Sequence, residues 1–243
     1  MSSVDAIKDH LKLELPGAHV VFTTRRGGFS LGPYRSLNLG RFTDDDPDVV
    51  ERNRAALASG LGVRFAYARQ VHGAHVARVL DVPANGSPAE AADGQATALR
   101  DVAPMVLTAD CLPIAVAGGG AVAMLHAGWR GLAAGVIGEG VRAVRGLQTD
   151  GGAPLHAAIG PGAGACCYEV SDEVRHVFAS YGPAARRSRN LDLKAIAQRQ
   201  LEAAGVGSID DVGLCTICSE SLFFSHRRDR GITGRQAGLV WSS

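Results

Sequence analysis

The chain has 243 residues, 46% of them hydrophobic, enough for a substantial core in one domain or in two closely packed halves. Its 25 Lys and Arg against 24 Asp and Glu leave a formal charge of +1, without the basic excess of a nucleic-acid binder, although a local basic pocket for an anionic substrate stays open. No window is apolar over a membrane-spanning length, and Met1 to Leu15 carries Asp5, Lys8, Asp9 and Lys12 where an export signal would be apolar; the expectation is a cytoplasmic protein with reduced cysteines.

In chain order, His19 to Thr24 reads as a strand and is followed by a glycine-rich loop from Arg25 to Gly40. Pro47 to Ser59 reads as a helix, with Asp46 as N-cap, Pro47 in the first helical position and Gly60 as the stop. Short apolar runs bounded by Gly, Pro or Asp then predict strands over Phe65–Val71, Val76–Val82, Met105–Thr108, Ile114–Ala117 and Ala121–Leu125. Pro83 to Ala92 reads as a surface loop. From about Gly131, the residues Leu132, Val136, Ile137, Val141 and Val144 recur at helical spacing. Ser171–Ser180 and Leu191–Ala204 predict two further helices, capped by Ser171 and Asn190 and joined by the basic stretch Arg186 to Asn190. Strands and helices interleave without regular βαβ alternation, which predicts an α+β fold with mixed sheets. No composition shift divides the chain, so one domain over 1–243 is expected.

Three segments end strand-like runs with a metal-ligating side chain: His72 in Gln70-Val71-His72-Gly73, Cys111 in Thr108-Ala109-Asp110-Cys111-Leu112-Pro113, and His126 in Leu125-His126-Ala127-Gly128-Trp129-Arg130. Rigid scaffolds present chemistry at such strand ends. Two imidazoles and one thiolate match a catalytic zinc set that keeps its fourth position open for water. The separations of 39 and 15 residues are generic, and two core histidines with a buried thiol would read the same way.

The words around those residues carry more. Arg26-Gly27-Gly28-Phe29-Ser30-Leu31-Gly32-Pro33-Tyr34 is followed by Ser36-Leu37-Asn38-Leu39-Gly40, then by the three segments above and by Asp93-Gly94-Gln95-Ala96. Further on stand Ile159-Gly160-Pro161, Cys166-Cys167-Tyr168-Glu169-Val170, Phe223-Phe224-Ser225-His226-Arg227-Arg228-Asp229 and Thr233-Gly234-Arg235. From about Val20 to Trp241 the chain resembles the bacterial laccase-domain family, also labelled polyphenol oxidase and peptidoglycan editing factor. The resemblance implies an α+β layered sandwich of mixed β-sheets flanked by helices, and zinc held by His72, Cys111 and His126. It also implies phosphorolysis of adenosine, inosine, guanosine and methylthioadenosine, with a side activity that deaminates adenosine.

Those activities need particular groups. Deamination needs a proton carrier, for which Asp110, beside Cys111, and Glu169 are candidates; Asp110 could equally orient a turn. Phosphorolysis needs cations for phosphate, and Arg26, Arg41, Arg130, Arg227 and Arg228 are candidates. Arg130 is favoured because it follows His126 by four residues and opens a helix. The Arg26–Gly40 loop would close over the substrate, with Ser36 and Asn38 bonding ribose or base, or would be a structural Ω-loop. His226 would line the site from the other end of the chain, at a position where the family also carries Tyr. The expected partners are a purine nucleoside and phosphate, with no nucleic acid or membrane, and the chain would be a monomer or weak homo-oligomer.

Cys215-Thr216-Ile217-Cys218 has the spacing of a metal knuckle, but without a second spaced pair it reads as buried or loop thiols rather than a structural zinc or redox site, the adjacent Cys166 and Cys167 being poor substitutes. Alternatives to the zinc enzyme are a cysteine hydrolase using Cys111 with His126 on a peptidoglycan precursor or another amide, a non-enzymatic partner of wall or division machinery, and a copper polyphenol oxidase. The last is disfavoured by eight His without one His-x-His pair.

Overall fold

The computed structural model describes residues 5–7, 10–82 and 90–243. The first half contains β1 (Asp5–Ile7), β2 (His10–Leu15), β3 (Ala18–Thr23), α1 (Pro47–Leu61), β4 (Arg64–Ala66), β5 (Val76–Arg78), β6 (Gly94–Thr97) and β7 (Val102–Thr108). The second contains β8 (Leu112–Gly118), β9 (Ala121–Ala127), α2 (Trp129–Ala134), α3 (Val136–Arg145), β10 (Leu155–Ile159), α4 (Asp172–Val177), β11 (Arg186–Arg187), β12 (Asn190–Leu191), α5 (Leu193–Ala203), β13 (Val206–Asp211) and β14 (Gln236–Ser242).

Two six-stranded sheets form the body, in the orders β1-β2-β3-β14-β7-β4 and β13-β10-β8-β9-β6-β5. Both are mixed: β14 runs antiparallel to β3 and β7, while β4 joins β7, β10 joins β13 and β5 joins β6 in parallel. Strand alternation sets the layers. In β3, Val20 and Phe22 pack with Ala115, Ala117 and Met124 of the other sheet, whereas Val21 between them packs with Leu57 of α1. In β8, Ile114 and Val116 face Leu132, Ile137, Val141 and Ile196 of α2, α3 and α5. The result is the expected layered α+β sandwich, with a helix layer outside each sheet. Strands β8 and β9 are buried along their whole length, so the loops at their ends are held rigidly.

Local chemistry explains where the elements stop. Asp46 caps α1 by accepting from Asp48 N at 2.9 Å, a bond of the kind that adds about 1 kcal/mol. The helix runs past Gly60 to Gly62, which takes the left-handed conformation at φ 69°. The stretch expected as one helix from Gly131 is two, because Gly135 at φ 89° ends α2 and starts α3. Ser171 does cap α4, but the helix stops at Val177. Asn190 is not a cap: it lies in β12, paired with Arg187, and Asp192 caps α5 by accepting from Ala195 N at 3.0 Å.

The strands expected over Phe65–Val71 and Val76–Val82 shrink to three residues each, one at an edge of each sheet. Beyond Ala66 the Gln70 side chain continues the pairing instead: its amide donates to Leu107 O and accepts from Leu107 N, each at 2.8 Å. The main chain is thereby freed to turn into the segment that carries His72. Most of the loop expected over Pro83–Ala92 lies outside the described residues. No helix among the described residues is long and apolar enough to cross a membrane.

Candidate metal centre

The β8–β9 hairpin brings two of the three expected ligands together. Its register pairs Leu112 with Ala127 and Pro113 with His126, which sets Cys111 beside Gly128. The donor atoms of His72, Cys111 and His126 all lie within 4.8 Å of one another, and the two imidazole rings meet edge to face at 4.8 Å. Gly128 makes room for this cluster: a Cβ there would lie 2.8 Å from Cys111 Sγ and 3.4 Å from His72 Cδ2. The Gly128 backbone, at φ −77°, would accept alanine, so the obstacle is purely steric. Gly128→Ala is therefore expected to displace the ligands, weaken metal retention and cost about 1–3 kcal/mol of stability, as overpacking does; metal analysis and thermal denaturation check it.

Asp93, fully buried, organises two of the three ligands. One carboxylate oxygen accepts from His72 N at 2.8 Å and the other from Gly73 N at 2.6 Å and Val71 N at 3.1 Å. These bonds hold His72 at φ 60°, a left-handed conformation that a histidine rarely adopts unaided. Asp93 also bonds His126 Nδ1 at 2.8 Å. A carboxylate can only accept, so Nδ1 carries a proton toward Asp93, and Nε2, which faces Cys111, is the nitrogen that would take a metal once it gives up its own proton. Burial raises the Asp93 carboxyl, but the bonds from His126, Gly73 and Val71 outweigh it and hold the group below its ordinary range. The sequence alone marks Asp93 only by its place in the Asp93-Gly94-Gln95-Ala96 word.

The electrostatics favour a thiolate. Burial raises the Cys111 thiol, yet the His126 charge and hydrogen bonds from both imidazoles bring it down to about 6. Burial lowers His126, yet the Cys111 charge and the Asp93 hydrogen bond push it up to about 9. Two imidazoles and a thiolate that is already anionic near neutrality fit a zinc-type ion, whose ligands must be deprotonated.

A cleft of about 320 Å³ opens alongside, lined by Trp129, Arg130, Tyr168, Glu173 and Arg227 among others. Each guanidinium sits on a ring, Arg130 over Trp129 at 4.4 Å and Arg227 over Tyr168 at 4.7 Å. Burial and then the Cys111 charge push the Tyr168 phenol up to about 12, which ties this cleft to the metal centre. Helix α2 has only six residues, so an anion beside Arg130 would be held by the side chain more than by a helix dipole. Arg235, in the Thr233-Gly234-Arg235 word, also adjoins the centre: burial lowers it while Cys111 and Asp110 raise it.

The other expected site residues sit differently. Asp110 is buried at φ 99°, and both its oxygens are occupied, one by Thr216 Oγ1 at 2.7 Å and the other by Arg227 N at 2.8 Å. The Glu169 carboxylate is 57% exposed and pairs with Arg189, while its backbone oxygen accepts from Arg227. Asn38 is fully buried with donors and acceptors spent on Thr43, Asp45, Gly40 and Arg235, so it cannot bond a ribose. The Ser36 hydroxyl bonds Arg25 O and Gly28 N. Asn53 and Arg54 of α1 fasten the same loop from beneath, at Ser30, Asn38 and Leu39, which makes it an anchored Ω-loop. Arg41 pairs with Glu51 and Tyr67. Arg26 bonds Ser221 O, away from the Arg130 cleft, and Arg228 is spent on Asp229 and the carbonyls of Thr216 and Phe223. His226 is exposed, its ring against Gly231. The four remaining cysteines, expected as buried or loop thiols without a shared metal, converge: the sulfurs of Cys166, Cys167, Cys215 and Cys218 lie within 4.8 Å of one another.

Comparison with known proteins identifies the family. The family model described as multi-copper polyphenol oxidoreductase laccase matches residues 19–243. A purine nucleoside phosphorylase of Streptomyces coelicolor is 44% identical over 93% of this chain and 96% of its own length. One from Corynebacterium glutamicum is 40% identical over 91% and 93%. Among solved structures, a Neisseria meningitidis protein superposes with a TM-score of 0.86 at 36% identity, covering 97% of this chain and all of its own.

Proposed function

Because the chain belongs to the multi-copper polyphenol oxidoreductase laccase family, and its relatives are named purine nucleoside phosphorylases, we propose that it is a zinc-dependent purine nucleoside phosphorylase that also deaminates adenosine. The observation that carries the proposal is the junction of the His72, Cys111 and His126 cluster with a cleft bearing two guanidiniums and two aromatic rings. An anion and a flat heterocycle are what such a cleft suits. Adenosine, inosine, guanosine and methylthioadenosine are the proposed nucleosides.

His72, Cys111 and His126 would hold the zinc, which when bound supplies a Lewis acid at an open fourth position. Arg130 and Arg227 hold phosphate, and their seats on Trp129 and Tyr168 limit the freedom lost on binding it. Asp110 is assigned a positioning role: its two hydrogen bonds tie the Cys111 turn to the chain at Thr216 and Arg227. Glu169 positions Arg227 through its carbonyl, while its carboxylate is taken by Arg189.

A cysteine hydrolase has one observation in its favour, since Cys111, His126 and Asp93 are linked in the order of a nucleophile, base and orienting acid. That chemistry leaves His72 idle, yet Asp93 spends a hydrogen bond holding it in an unusual conformation. A multi-copper centre lacks ligands: among the described residues, the only clusters of possible ligands are this one and the four thiols. Arg130→Ala is expected to raise the KM for phosphate about ten-fold or more, as loss of a charge-assisted bond of about 1.5 kcal/mol or more would, with a small change in the KM for inosine. Steady-state kinetics with each substrate varied would check this, and an unchanged phosphate KM in Arg130→Ala and Arg227→Ala alike would place the anion elsewhere.

A further inference from the structure

We propose that Cys166, Cys167, Cys215 and Cys218 hold a second zinc ion, structural in kind, that fastens two active-site segments together. Cys166 and Cys167 lie in the turn between β10 and α4, and Cys215 and Cys218 in the turn that follows β13. Cys218 Sγ stands 3.4 Å from Cys166 Sγ and 3.1 Å from Cys167 Sγ, well beyond a disulfide bond of about 2.05 Å. A tetrahedral zinc with Zn–S of about 2.3 Å needs sulfurs about 3.8 Å apart. The cluster spans that value, from 3.1 Å to no more than 4.8 Å, so one ion fits with small side-chain adjustments.

The main chain prepares the site. Gly162 bridges to Cys215 in parallel, and Thr216 N donates to Gly162 O at 3.0 Å, so the two turns are registered without any ion. Cys167 N and Tyr168 N both donate to Gly164 O, which folds the adjacent cysteines back toward the knuckle. Gly164 N then donates to Cys215 Sγ at 3.3 Å, a bond that favours the sulfur as an anion. Zinc would bind with release of four thiol protons, leaving four thiolates around a dipositive ion and a net charge of −2. Arg25, Arg26 and Arg35 line the cleft that Cys218 also lines, and they offset that charge. With all four positions filled by sulfur no coordination site is left for substrate, so the ion is structural.

The placement gives the ion a task. Tyr168, which follows Cys167, carries Arg227 on its ring, and Thr216, between the knuckle cysteines, donates to Asp110. Fastening the two turns fixes the cleft wall on one side and the Cys111 turn on the other.

Metal analysis by mass spectrometry on full-length protein, purified with reductant and without chelator, tests this independently of turnover. The wild type should carry two zinc ions per chain, Cys111→Ala one, and Cys215→Ser/Cys218→Ser one, the last with a lowered Tm. Cys111→Ala leaves all four thiols in place, so its retained zinc tests the site even where the double variant fails to fold. Cobalt-loaded Cys111→Ala should show the visible bands of a tetrathiolate. A zinc-free Cys111→Ala with four freely titrating thiols would overturn the proposal. So would an intact mass lighter by two hydrogens without a second zinc, which means a disulfide, or iron with a sulfide chromophore in place of zinc. If the His72 centre held no metal, wild type and Cys111→Ala would carry the same single ion, which separates failure of that centre from failure of this one.

Discussion

Cys111→Ala is expected to lose the metal of the His72 centre and to lower kcat/KM for inosine phosphorolysis by about 10³-fold, the equivalent of roughly 4 kcal/mol of transition-state stabilisation. The sulfur is the one anionic ligand of the set, and the two imidazoles that remain have no third donor among the described residues at that position. Its removal also ends the mutual charge stabilisation that brings Cys111 down to about 6 and pushes His126 up to about 9. The fold should survive, because Cys111 stands just before β8 and outside the clusters that join the layers. Metal content, circular dichroism and phosphate-dependent base release check the three parts. Undiminished turnover in a well-folded, metal-depleted variant would remove the centre from the reaction.

Asp93→Asn is expected to be nearly as severe although the side chain changes by a single atom type. Asp93 accepts from three successive backbone amides and from His126, in a place closed to water. An amide NH₂ in place of one oxygen faces donors with a donor, and a buried mismatch of that kind costs about 1–3 kcal/mol. For a chain of this size that is a Tm lower by roughly 2–4 °C per kcal/mol. Metal affinity should fall by about 10- to 100-fold, the usual effect of losing the partner that orients a ligating histidine. Zinc titration against a competing chelator, with differential scanning calorimetry, would read both. Unaltered zinc affinity would mean that the 71–73 turn and His126 hold their geometry without Asp93.

Cys111 and His126 were legible as candidate ligands because they stand at the ends of buried apolar strands beside a proline and a glycine. The run before His72 forms a strand only over Arg64–Ala66, and the three were joined into one set by the family resemblance of the surrounding words. Strands β8 and β9 were themselves legible because buried strands of this kind are visible as composition. What single residues do after the chain folds back was not. Asn38 in a polar, glycine-rich loop looks available to a ligand, and only the tertiary contacts with Thr43, Asp45 and Arg235 show every one of its bonds used within the protein. Arg41 and Glu169 likewise look free in sequence but find Glu51 and Arg189 in space. Cys166 and Cys167 look ill-suited to a metal as neighbours, and 51 residues separate Cys167 from the Cys218 that meets it. The parallel pairings β4–β7, β5–β6 and β10–β13 join segments too far apart for local patterning to predict. Asp93 shows the general difficulty: a buried carboxylate that orders a turn has the same spelling as a solvated one.

Chelation and add-back on the wild-type protein tests whether zinc at the His72 centre drives phosphorolysis. Metal-analysed protein is dialysed against a chelator, assayed with inosine and phosphate, resupplied with zinc and assayed again, with hypoxanthine and ribose-1-phosphate both quantified. Phosphate-dependent release of the two products in equal amounts, lost with the His72-centre zinc and regained when zinc is restored, is the predicted result. Full activity in protein stripped of that zinc would contradict it and turn attention to the Cys111–His126 pair as a metal-free nucleophile, while no base release from fully zinc-loaded protein would refute the nucleoside phosphorylase itself.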